Sequence, residues 1–224
     1  MQYATEFRVD VKTREQAAYE ALRSAIVEGR FAEGEPLVGS RIATELGVSR
    51  ITVANAFKRL SAEGFIKLVP HKEAIVAPLD RADIRQIYLM RAELEALSAR
   101  ESATRATPAD IAELRRINQE IASAESSNEP DMRLLRRIDI GFHRYLRRMS
   151  NMPMLISTLD NLSDQGEGYR ARLLDNRYLV IPTAVSHEPI ISSLESHDPE
   201  LAAEAMRQHV FLGLDAFMEL FDRE

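Results

Sequence analysis

The 224-residue sequence contains no cysteine, which excludes disulfides, thiolate metal sites and cysteine nucleophiles and fits a reducing compartment. No run approaches the ~20 apolar residues that a membrane span requires. The opening M-Q-Y-A-T-E-F-R does not have the charged-then-apolar pattern of a secretory signal. A cytoplasmic protein with no membrane partner is expected. Signatures of catalysis are missing as well: there is no phosphate-binding glycine loop, no serine in a nucleophile elbow and no H-E-x-x-H. His187-Glu188 is only the first half of that zinc-protease pattern, with Ile191 where the second histidine belongs.

Net positive charge is lacking too. The formal charge of −6 speaks against a nucleic-acid partner until it is divided along the chain. Residues 1–79 carry 11 Lys+Arg against 10 Asp+Glu, and residues 80–224 carry 18 against 25, so the acidity is C-terminal. A nearly neutral N-terminal part can still present a local basic face, and DNA binding there should be selective and salt-sensitive. At this length, 45% hydrophobic content suffices for two cores. The expected organisation is a mostly α protein with a winged helix-turn-helix over 1–79 and an antiparallel bundle of six or seven helices over 80–224.

What is present in the first part has the order of a winged helix. Thr13-Arg14-Glu15-Gln16 has capping-box spacing, and Ala17, Ala18, Leu22, Ala25 and Ile26 follow at helical period up to Gly29. After a turn, F-A-E-G-E-P-L, a short helix over roughly 40–46 stops at Gly47. Ser49 is placed to cap the next, which runs to about Glu63. Helix, glycine turn, helix is the DNA-reading arrangement. F-I-K-L-V and A-I-V-A then supply two β-prone segments around P-H-K-E, a hairpin wing.

The run V-S-R-I-T-V-A-N-A-F-K-R-L-S-A-E-G-F-I resembles the recognition-helix region of the GntR family of bacterial transcription regulators. That resemblance implies that Ser49, Arg50 and Thr52 enter the major groove of a double-stranded operator, with Lys58 and Arg59 nearer the phosphates. Free N–H groups at a helix start favour phosphate, and arginine can take guanine O6 and N7 together. The chain departs from the family in having Ser40 followed by Arg41 on the helix before the glycine turn, and Ala54-Asn55 in place of Arg-Glu. His71 and Glu73 replace the wing glycines. Arg41, Asn55, as a reader of adenine, and Lys72 in the wing complete the DNA-facing set, and the operator is expected to differ from the family's usual one.

From Asp80 onward the pattern is helical, over roughly 81–105, 108–125, 131–149, 153–173, 179–195 and 198–221, with Thr107, Pro108, Pro130, Pro153 and Asp198-Pro199 marking starts. Asp139 and His143 stand four apart and share a helix face. His187 and His209 lie in two later helices. A bundle that joins them assembles three imidazoles and a carboxylate, a set suited to a divalent ion such as Zn, Ni or Mn. The other reading is a polar network with no ion. Y-L-M-R-A-E-L-E-A-L, D-I-G-F-H-R-Y-L and H-E-P-I-I-S-S-L resemble the FCD effector domain of FadR-type GntR regulators, which implies that Asp139, His143, His187 and His209 are the metal ligands.

An open metal position in a helical pocket favours a small carboxylate effector, because the ion's charge offsets the desolvation of the anion. Arg91, Arg170 and Arg172 are candidates to grip it bidentately. The expected function is a metal-containing, ligand-responsive DNA-binding regulator that acts as a homodimer on a palindrome. Release of DNA on ligand binding, as from a repressor, is what the resemblance implies. The rival reading is a metal-dependent hydrolytic or lyase-type enzyme using the Asp/His3 site to activate water.

Overall fold

The computed structural model describes residues 13–69, 73–173 and 183–221, with backbone alone for 168–173, 220 and 221. The chain divides into two compact units, Met1–Pro78 and Leu79–Glu224.

In the first unit, α1 (Arg14–Val27) starts where the Thr13 side chain accepts the Gln16 N–H, and it buries Ala18, Tyr19, Leu22 and Ile26. α2 (Gly39–Leu46) ends at Gly47, whose φ of 64° lets its N–H turn back onto Ala43 and Thr44 carbonyls. Ser49 then caps α3 (Arg50–Ala62) by accepting the Thr52 N–H at 3.1 Å. α3 turns Val53, Ala56, Phe57 and Leu60 inward. β2 (Ile66–Lys67) and β3 (Ala74–Val76) form the expected wing. A third strand, β1 (Pro36–Leu37), lies in the stretch read from sequence as a plain turn. It pairs antiparallel with β3, Pro36 opposite Ile75, giving a sheet of order β1-β3-β2. Two residues carry no period; only the pairing makes them a strand.

The second unit contains six helices among its described residues: α4 (Arg81–Ala103), α5 (Pro108–Glu125), α6 (Met132–Met149), α7 (Pro153–Leu173), α8 (Thr183–Glu195) and α9 (Pro199–Phe221). Capping boxes open two of them, Asp80 with Asp83 and Thr107 with Asp110. Pro108, Pro153 and Pro199 occupy first positions, where a missing N–H costs nothing. Pro130 does not: the Asp131 carboxylate accepts from Arg133 and Leu134 N–H groups and fixes the start of α6 one residue later. The core joins Leu114, Phe142, Leu146, Ile190, Ile191, Met206 and Phe217. α4 packs on α9, where Ala92, Ala96, Ala99 and Ala103 of α4 and Ala202 and Ala203 of α9 are all essentially buried and Tyr88 meets Phe217. Alanines at this spacing form one stripe and allow close approach of the two helices.

Candidate functional site

α6, α8 and α9 bring Asp139, His143, His187 and His209 together. One ligand atom from each lies within 4.8 Å of all the others. His143 Nε2 is 3.1 Å from His209 Nε2, and the Asp139 carboxylate is 3.7 Å from His143 Nε2 and 3.4 Å from His187 Nε2. Metal bonds of ~2.0–2.1 Å to tetrahedral ligands place neighbouring ligand atoms about 3.3 Å apart. These three separations lie around that spacing, and the remaining ones stay within 4.8 Å.

Three further contacts prepare the imidazoles. His187 meets Asn118 Oδ1 through Nδ1 at 3.1 Å, while the Asn118 amide donates to the Ala184 carbonyl and Glu188. That orientation makes Nδ1 the donor and leaves the lone pair of His187 Nε2 pointing into the cluster. Ser186 donates its hydroxyl to the Thr183 carbonyl at 2.8 Å, so its oxygen accepts from His209 Nδ1 at 2.9 Å. His209 Nε2 is thereby bare as well. Such partners of the distal nitrogens fix tautomer and ring orientation in metal sites. His187 is fully buried, stacked on Phe142 at 3.8 Å between centroids, and its Nε2 has no hydrogen-bond partner. A buried acceptor left in this state costs about 1–3 kcal/mol, and a cation among the four ligand atoms removes that cost. Burial, followed by neighbouring imidazoles and arginines, holds His143 and His209 well below the usual histidine range, with Asp139 opposing. Both are therefore neutral at pH 7, the state that ligates.

A cavity beside the cluster is lined by Tyr88, Arg91, Asp139, His143, Arg144, Arg147, Ser163 and His209, among others. Arg91 is 8% exposed, lies 3.7 Å from Glu95 and has an Nε with no hydrogen-bond partner among the described residues. Arg147 is more deeply engaged, with Glu95, with Asp160 at 2.9 Å and with the Ser163 hydroxyl at 2.7 Å. Arg170 and Arg172 lie on α7, but their side chains are outside the described residues. Sequence reasoning missed Arg144, Arg147, Asn118 and Ser186. Arg147 had a signal, since 139, 143 and 147 form one stripe at four-residue spacing; Asn118 and Ser186 had none.

In the first unit, Arg50 and Lys58 are exposed on α3 and Asn55 is half-buried. The Ser49 and Thr52 hydroxyls lie 2.9 Å apart. Arg41 is exposed on α2 and pairs with Glu45 at 2.8 Å, a weak contact at a wet surface. Arg59, expected nearer a phosphate, is exposed and also engaged within the unit. Its guanidinium lies 3.6 Å over the Tyr19 ring, bonds Gln16 at 2.8 Å and pairs with Glu63, tying α3 to α1. Burial and the bond to Glu63 push the Tyr19 hydroxyl up to about 12, so it stays a donor. Lys72, like His71, lies outside the described residues. His197, a turn residue with φ 53°, bonds the Ala103 carbonyl at 2.8 Å and so closes the end of α4.

A winged helix ahead of a helical bundle with a buried polar centre defines a DNA-binding transcriptional regulator with a ligand-binding domain. The pattern of the "Bacterial regulatory proteins, gntR family" matches residues 14–76 and that of the FCD domain matches 86–211. The chain belongs to this family, the GntR regulators that carry an FCD domain. It is 30% identical over 191 residues to the "Probable D-xylose utilization operon transcriptional repressor" of Paenarthrobacter nicotinovorans, covering 85% of this chain and 83% of that one. It is 26% identical over 198 residues to the "HTH-type transcriptional repressor RspR" of Escherichia coli K12, covering 87% and 85%. Among solved structures, E. coli McbR/YncC superposes with a TM-score of 0.80 at 19% identity, over 93% of this chain and 99% of that one, which establishes the shared fold. None of these relatives supports the hydrolytic or lyase reading. No helix among the described residues is long and apolar enough to cross a membrane.

Proposed function

We propose that the chain is a homodimeric repressor, acting in the cytoplasm, in which residues 1–79 read a DNA operator and residues 80–224 sense a small carboxylate at a divalent metal centre. Asp139, His143, His187 and His209 hold the ion, Zn, Ni or Mn, and the single observation that carries the reading is their convergence beside a cavity containing Arg91. When bound, the ion supplies positive charge against which an anion can shed its water. Asn118 and Ser186 hold two of the imidazoles in the ligating tautomer. Arg91, nearly buried and with an Nε that has no partner among the described residues, takes the effector carboxylate; Arg170 and Arg172 are further candidates on α7. On the DNA side, Arg50, Thr52, Asn55, Lys58 and Arg41 face the operator. One wing domain reads few base pairs, so two copies on a palindrome supply the specificity. The repressor names of relatives support the sign of regulation. Ligand shifts DNA affinity only by binding the DNA-free geometry more tightly than the bound one.

The test measures operator affinity of the full chain against a panel of organic acids, with and without a chelator. At least one acid is expected to weaken binding tenfold or more, and only in the metal-loaded protein. A response that survives chelation removes the metal from the mechanism. If no acid has an effect, carboxylate sensing is wrong. Protein purified without a nickel column should carry close to one metal per chain; little metal, with His143→Ala unchanged in stability, would leave only a polar network.

A further inference from the structure

Ile51 is 74% exposed, although it stands in the first turn of a helix with a full apolar face available on its other side. A single exposed aliphatic residue is ordinary on a protein surface; its neighbours make this one informative. Positions 51, 54, 55 and 58 fall on one face of α3. Ile51 and Ala54 are exposed there, with Asn55 half-buried and Lys58 exposed one turn on, and with exposed Arg50 beside them. The face is therefore an apolar strip bordered by two cations, complementary to a groove that has apolar groups on its floor and phosphates at its rims.

We infer that Ile51 and Ala54 read thymine, by packing against its 5-methyl group in the major groove. This rests on the DNA-reading role proposed above. Thymine alone offers a methyl at that edge, while cytosine presents an amine whose water would be stripped by Ile51 without replacement. Arg50 is suited to guanine and Asn55 to adenine, so the two aliphatic residues add a contact to thymine that neither of these polar side chains makes.

The experiment selects bound sequences from a random-sequence duplex pool with the full chain, then remakes the enriched duplex with deoxyuridine in place of thymidine. Burying one methyl is worth roughly a fourfold change in affinity, and two copies of α3 should make the loss on thymine removal on the order of 15-fold. Ile51→Ser, a change at an exposed position, should lower that loss to about fourfold or below, the remainder being the Ala54 contact. Enrichment of a sequence that wild-type protein binds equally with uracil overturns the thymine reading alone. An unchanged thymine-to-uracil ratio in Ile51→Ser also overturns it, and a shift in assembly state by light scattering in that variant would assign the strip to a second copy instead. Failure to enrich any sequence at low salt overturns the DNA-reading role itself.

Discussion

In the N-terminal unit Arg50 and Lys58 stand exposed on α3, whereas in the C-terminal unit His143 is 5% exposed and His187 wholly buried. On the DNA-reading role proposed above, the first set has its partner outside the chain, so the fold supplies only a platform: capped helix, glycine turn and buried face. The second set has its partners inside the chain, and each side chain is oriented by another that the fold also had to place. Buried polar groups therefore reveal their purpose in the structure, through orphaned or paired atoms, while exposed ones reveal it only against a ligand. Arg59 illustrates the border between the two, a cation on the reading helix that the fold has taken for its own packing over Tyr19.

The contrast can be broken by substitution, and the largest effect should come from the buried side. Glu95→Ala leaves Arg147, which is 2% exposed, with the half-buried Asp160 as its remaining acidic partner and should cost up to about 3–5 kcal/mol. For a domain of this size that lowers Tm by roughly 6–20 °C, measurable by circular dichroism; a change of under about 2 °C would mean that Arg147 is not held as a buried ion. Asn118→Ala should weaken metal binding about 10- to 100-fold in a competitive chelator titration, by freeing the His187 tautomer. Unaltered affinity would detach Asn118 from the site. On the exposed side, Arg50→Ala should leave Tm within about 1 °C and cost roughly 1–3 kcal/mol of operator binding. Were it to unfold the protein instead, the distinction between the two units would fail.

The smallest effect sharpens the comparison at a helix start. Thr107→Ala should cost about 1 kcal/mol, read as a Tm shift of a few degrees. Hydrogen bonds from Thr107 and Tyr145 hold the Asp110 carboxyl below the usual carboxylate range. A lowered folded value means that this contribution is full above the ordinary carboxylate value and disappears as pH falls through the lowered one. In Thr107→Ala the acid-side loss of stability should therefore become shallower, and identical acid limbs would refute the assignment.

Helix starts were legible because caps act within three residues: Thr13, Ser49 and Thr107 all bond where their spacing indicates. The cluster of Asp139, His143, His187 and His209 was legible as a set of residue types, two of them joined by one helical turn. β1 was not, since Pro36 and Leu37 become a strand only by meeting Ile75 and Ala74. Asn118 and Ser186 escaped notice for a related reason. Amides and hydroxyls are common on helices, and only the packing of α5 and α8 on the histidines gives these two an assignment. Pro130 misled because proline and aspartate compete for a helix start, and the carboxylate of Asp131 satisfies two N–H groups that proline cannot.

Arg91 and His209 ride on α4 and α9, a packed pair with buried alanines on both helices. Buried alanines cannot swing aside to let packed helices slide or separate by fractions of an ångström. The two helices act as the fixed jaws of a caliper, one tipped with a guanidinium and the other with an imidazole. On the sensing role proposed above, an anion that reaches both would have to suit the gap between them, so length and bite angle would discriminate among otherwise similar acids.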